Sequence, residues 1–167
     1  MGTRRDARER AVQFLFQCDL NPPEDLETAL REFWETQPFG SRDSEPAAKD
    51  PAAPGDSPAP TVKEAALRLF AEELIRGTLA ERDALDRQIE RLARNWAVNR
   101  MAVMDRNILR LSMHEMQRRR DVPAVVSINE AVEIAKRYST DDSGKFVNGI
   151  LDNFRKSLDR PAAPPSA

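Results

Sequence analysis

Apolar residues recur along this chain at three- and four-residue intervals, the spacing of one buried face on a helix. Ala7, Ala11, Phe14, Leu15 and Cys18 form the first such face. Arg5, Val12 and Phe16 make a second strip, with Phe16 almost opposite the first, so this helix is either central or offers an outer aromatic to a partner. Pro22–Pro23 stops it. Leu26, Leu30, Phe33 and Trp34 mark a second helix over Glu24–Thr36, and Leu67, Phe70 and Leu74 a third, running to about Gly77. Leu85, Ile89 and Leu92 mark a fourth, ending before Asn95–Trp96. Arg100–Arg120 reads as a long fifth helix with Met104, Ile108 and Leu111 on its apolar side. Ser127 followed by Glu130 has the form of a capping box, opening a sixth helix whose inner face is Ala131, Ile134, Ala135 and Tyr138. A polar break over Ser139–Asp142 restarts the chain, with Ser139 or Thr140 as cap. Val147, Ile150, Leu151, Phe154 and Leu158 then line one narrow stripe of a seventh. The one short apolar run, Val122–Ile128, is broken by Pro123, so no strand is expected and the chain reads as an all-α helical bundle of about seven helices.

Between the second and third helices the pattern disappears. Residues 37–62 hold six of the twelve prolines and almost no large apolar side chain, too little to bury. The expected organisation is a helical part over 1–36, a disordered Pro/Ala-rich insertion over 37–62, the rest of the same domain over 63–158 and a disordered tail over 159–167.

Composition narrows the function. A net charge of −2 excludes a globally cationic nucleic-acid binder, so any such site is a local patch. One cysteine and one histidine leave no internal disulfide and no Cys/His metal cluster; Cys18, within the apolar stripe, reads as a core residue. No run of about twenty apolar residues and no apolar leader appears, which makes a cytoplasmic protein the expectation. No glycine-rich phosphate loop is present, His114 and Glu115 are adjacent and face different ways, and Asp141–Asp142 suit a helix start. A non-catalytic protein without cofactor or metal is therefore expected.

Two places carry binding chemistry. Arg4, Arg5, Arg8 and Arg10 form a dense basic run, read either as a solvated terminus or as forks for phosphate oxygens. Phe146 sits at the rim of the seventh helix beside Asp142, Lys145 and Gly149, either half-buried under a neighbour or open as a stacking surface for a base. The Arg118–Arg120 cluster suits a helix C-terminus.

Four blocks, RRDARERAVQFLF, MDRNILRLSMHEM, INEAVEIAKRYS and DSGKFVNGILD, resemble in order and spacing the NusB family of bacterial transcription antitermination factors. The resemblance implies two helical subdomains and a protein that binds the single-stranded boxA RNA of ribosomal RNA leaders. It would do so together with NusE, a small-subunit ribosomal protein, within the RNA polymerase elongation complex and its other Nus factors. By position it implies RNA contacts at Arg4, Arg5, Arg8, Arg10, Asp142, Ser143, Lys145 and Phe146, and a protein-facing surface at Phe16 and Asp105. On this reading Arg5→Ala or Arg8→Ala weakens RNA binding with little loss of helicity. Two features depart from the family pattern: Asp6 interrupts the arginines, and the Pro/Ala-rich segment is an addition. The same fold occurs fused to ribosomal RNA methyltransferases, a version not expected here because these residues include no methyl-donor domain. The rival reading is a protein–protein scaffold with a solvated arginine tail.

Overall fold

The computed structural model describes residues 3–37, 60–94 and 96–159, and among these all regular structure is helical. Seven α-helices follow in order: α1 Arg4–Leu20, α2 Leu26–Thr36, α3 Val62–Ala80, α4 Arg82–Leu92, α5 Val103–Arg118, α6 Ala124–Tyr138 and α7 Asp141–Asp159. A single 3-10 turn, Val98–Arg100, precedes α5. The expected insertion and tail lie outside the described residues, apart from Gln37, residues 60–62 and Asp159.

The N-terminal ends of the first three helices are chemically marked. Thr3 caps α1, and Asp6 closes a capping box by accepting the Thr3 N–H at 2.7 Å. The acid that interrupts the arginine run thus has a structural task. Asp25 caps α2, and Thr61 with Glu64 forms a second box at α3. At α7 it is Thr140 that caps, its hydroxyl accepting the Ser143 N–H at 3.0 Å.

The box expected at Ser127–Glu130 does not form. α6 starts four residues earlier than a Ser127 cap would set it, behind Pro123, so Ser127 lies inside the helix and is 2% exposed. Its hydroxyl donates to Glu115 at 2.5 Å, and Glu130 accepts from Arg5 instead. Both residues of the local motif are taken by partners on other helices.

α5 is the axis of the fold. It packs against α1, α3, α4, α6 and α7, and it is buried nearly all round. Ile108, Leu109, Leu111 and Met113 are inside, but so are Asn107, Arg110, Ser112, His114 and Glu115. The one-sided helix expected from Met104, Ile108 and Leu111 is therefore a central one, with Met104 only half-buried. It begins at Val103, with Met101 buried between it and the 3-10 turn. Polar burial on this scale requires partners. Arg110 donates to both carboxylate oxygens of Asp86 at 2.6 and 2.9 Å and to Asp19 at 3.0 Å. His114 has its Nδ1 3.1 Å from Glu81 Oε2. α3 runs past its expected end at Gly77, where the glycine serves close packing and does not stop the helix: a Cβ there would lie 2.2 Å from His114 Nε2.

One continuous core joins the N-terminal group α1–α3 to the C-terminal group α4–α7. Phe33 of α2 packs edge-on against Phe14 of α1, with ring centroids 5.3 Å apart. Cys18 is buried, and burial pushes its thiol above the usual range. Two apolar expectations fail. Val12 is fully buried and does not share an outer strip with Phe16, and Leu158, expected on the core stripe of α7, is 41% exposed.

Candidate nucleic-acid interface

The four arginines at the start of α1 separate into two pairs. Arg4 and Arg5 are exposed at the surface. Arg5 makes a two-pronged pair with Glu130 of α6, Nε to Oε2 at 2.6 Å and a terminal nitrogen to Oε1 at 3.1 Å, which raises its pKa further. Arg4 lies 3.9 Å from Asp121 and over the ring of Phe70. Arg8 and Arg10 are buried, with 4% and 6% exposure. Arg8 donates through Nε to both oxygens of Glu115 at 3.1 and 3.0 Å, and Arg10 donates to the Gln37 carbonyl at 3.0 Å. Arg8 follows Arg4 by one turn on the same face, but lies deeper along α1, where Glu115 of α5 and the ring of Phe70 on α3 enclose it. Both buried guanidiniums are engaged by partners within the protein, unlike the solvated terminus that the arginine run also allowed.

Arg4, Arg5 and Arg8 border an open cleft of about 490 Å³. Its floor is Val122, Pro123 and Val126, where the turn after α5 enters α6, and Asp121 and Glu130 stand at its edge. Hydrogen bonding from Arg119 holds the Asp121 carboxyl below the usual range. The cleft therefore combines guanidinium rims, an apolar base and paired carboxylates.

The second cluster lies at the opposite end of α5. Ser143 Oγ donates to Asp105 Oδ2 at 3.0 Å, whereas Arg8 meets Glu115, ten residues further along the helix. At 1.5 Å per residue that is about 15 Å. The first and last helices thus supply two patches joined along α6, not one compact site. Asp142 and Lys145 are exposed, Ser143 is buried at 9% exposure, and Phe146 is half-buried against the core. The ring of Phe146 meets that of Trp96, with centroids 5.1 Å apart and planes inclined at 58°.

The expected protein-facing residues differ in accessibility. Phe16 is half-buried. Asp105 is only 8% exposed, and its Oδ1 finds no hydrogen-bond partner among the described residues. Both belong to the region where the end of α1 meets the start of α5. There Asp19 accepts from Arg106 at 2.6 and 2.8 Å, from Asn107 at 2.9 Å and from Arg110 at 3.0 Å. Burial opposes ionisation of Asp19, but these donors outweigh it and hold its pKa at about 2.

Two residues gain significance from the structure alone. Trp96 served in the sequence only as a helix end, yet it is 44% exposed beside Phe146. Arg137 lies on α6 between the two patches, 54% exposed along its side chain and donating to Glu9 at 3.0 Å. A basic residue within an amphipathic helix carries no signal that marks it out. Among the described residues no three His, Cys, Asp or Glu side chains converge to hold a metal ion. No described helix is long and apolar enough to cross a membrane.

The model of the NusB family matches residues 5–156. A transcription antitermination protein NusB from Desulfitobacterium hafniense is 40% identical over 160 residues, covering 95% of this chain and 91% of its own. The solved structure of T. maritima NusB is similar at a TM-score of 0.70 and 36% identity, over 93% of this chain and 92% of that one. A crystal structure of antitermination factors NusB and NusE in complex with dsRNA shares the fold, with a TM-score of 0.69 and 21% identity over 92% and 96% of the two chains.

Proposed function

The chain belongs to the NusB family, and on that premise we propose that it is a non-catalytic RNA-binding transcription antitermination factor of the cytoplasm. It binds single-stranded boxA RNA of ribosomal RNA leaders together with NusE, and so keeps RNA polymerase and its other Nus factors elongating. The observation that carries this reading is the cleft at the start of α1, where two exposed guanidiniums stand over an apolar floor. Such a place takes phosphates at its rim and an unpaired base or ribose below. One structure of the same fold, described as NusB and NusE in complex with dsRNA, supports NusE and RNA as the kinds of partner.

In this mechanism Arg4 and Arg5 neutralise phosphates at one end, and Lys145 and Phe146 meet the strand at the other. Arg8 and Arg10 act from beneath, fixing α1 against α5 and the chain after α2. Asp142 accepts from base edges, and Ser143 shapes the start of α7. Phe16 and Asp105 face NusE; Asp105 Oδ1, buried and unpaired, meets a donor there only if the surface above it shifts. Because Arg5 and Arg4 already have carboxylate neighbours, affinity for RNA alone is modest, and sharing the strand with a second protein raises it.

The test is a titration of boxA RNA across a salt series, with and without NusE. Each single-strand phosphate contact contributes about 0.7 to the slope of log K against log salt. Arg5→Ala is expected to weaken binding and to flatten that slope by about this amount, with the helical signal unchanged. Equal affinity and slope in the variant would remove the α1 patch from the interface, and no salt-dependent binding at all would favour the scaffold reading.

A further inference from the structure

We propose that Trp96 is a second stacking ring of the RNA surface, giving an unpaired base the open indole face that half-buried Phe146 does not provide by itself. The inference rests on the RNA-binding reading above and adds a residue to it.

Trp96 is a large aromatic left 44% exposed, next to a turn that is otherwise pinned. Two residues on, Val98 is 4% exposed, and its N–H donates to Glu90 Oε1 at 3.2 Å. Met101 closes the same turn from inside. One side of the indole leans on Phe146, with centroids 5.1 Å apart, and Phe146 is itself packed against the core. The ring is therefore held before any ligand arrives, and little of its freedom remains to be lost on stacking. The other tryptophan has a different situation. Trp34 is 6% exposed, its indole N–H donates to Glu72 at 2.9 Å, and Arg68 covers its ring. Packing explains Trp34 fully, but it does not explain why Trp96 faces solvent.

The charges around the pair favour RNA with its bases inward. Lys145 is exposed beside Phe146 and attracts phosphate. Asp141 and Asp142, on the same first turn of α7, repel phosphate but accept from the exocyclic amino groups of bases. A strand that turns its bases toward the two rings and its backbone toward Lys145 satisfies both.

The experiment uses the full chain with boxA RNA in the presence of NusE. Base–aromatic stacking predicts that Trp96→Ala lowers RNA affinity roughly 5- to 100-fold, while Trp96→Phe stays within about threefold of the parent. Tryptophan emission of the parent should be quenched on adding RNA, and Trp96→Phe, which retains only buried Trp34, should show no quenching. Phe146→Ala and Arg5→Ala serve as reference variants. If those two weaken binding and Trp96→Ala does not, the proposal is overturned while the RNA reading stands. If the parent binds no RNA, both fall. Quenching that persists in Trp96→Phe overturns the proposal, as does a Trp96→Ala defect confined to capture of NusE, which would make the residue a protein contact. Matching circular dichroism and melting of Trp96→Phe and the parent keep the fluorescence result separate from folding.

Discussion

Replacing Asp19 by asparagine removes one negative charge from the point where α1, α4 and α5 meet. The carboxylate is 6% exposed and accepts from two guanidiniums and one amide. Its pKa is held at about 2 against an ordinary 3.8. At 1.36 kcal/mol per unit, ionisation of this group contributes about 2 kcal/mol to stability at neutral pH. The folded-state pKa is depressed, so the contribution is fully present above about pH 4 and is lost as pH falls toward 2. Asparagine keeps the shape but not the charge. Arg110 retains Asp86, and Arg106, 14% exposed, can turn toward water, so the cost stays below that of stranding a buried ion. The assay is urea unfolding of parent and Asp19→Asn followed by circular dichroism at pH 7 and pH 3. All other titrating groups are common to both chains and cancel in the difference. The expected gap is about 2 kcal/mol at pH 7, shrinking to about 1 kcal/mol at pH 3. A gap below about 0.5 kcal/mol at pH 7, or one unchanged at pH 3, would refute the claim that this charge ties the three helices together.

Two further substitutions probe the same interior. Arg8→Ala should cost about 3–5 kcal/mol in urea unfolding, because Glu115, 1% exposed, is left charged with Ser127 as its remaining partner. Replacing Arg8 and Glu115 together by methionine should recover most of that loss, and its failure to do so would locate the stability elsewhere. Gly77→Ala should destabilise by about 1–3 kcal/mol despite the better helix propensity of alanine, since its Cβ meets His114. In a His114→Ala background the same change should turn stabilising by up to about 1 kcal/mol, and an unchanged sign would mean that His114 is not the obstacle.

The burial of Arg8 also shows where reading the chain alone stops. Arg4, Arg5, Arg8 and Arg10 look equivalent as a basic run, and an Arg8→Ala loss of RNA binding would look like a lost phosphate contact. The structure separates the four by which turn of α1 they occupy. Arg8 then becomes a folding residue, so its variant cannot report on RNA by itself. Phe146 went the other way: its rim position followed from helical spacing, but its aromatic neighbour came from a loop whose only visible signal was the end of a helix.

What the sequence determined by itself is local and periodic. The 3.6-residue recurrence of apolar side chains placed seven helices and excluded strands, and the Pro-rich gap separated α2 from α3. These follow from interactions among near neighbours, which are written consecutively. The tertiary structure decided which polar groups are inside and whom they meet. Ser127 and Glu130 carry a perfectly good capping pattern, yet each is claimed by another helix. Arg8 pairs with Glu115 across 107 residues of chain, and Arg5 with Glu130 across 125. No periodicity links such positions. They are chosen by which helix packs on which, because a buried charge must find its counter-ion wherever the fold brings one within reach. The same packing puts one patch beside Asp105 and the other beside Glu115, about 15 Å apart along α5, and so decides that the residues proposed to face RNA form two patches.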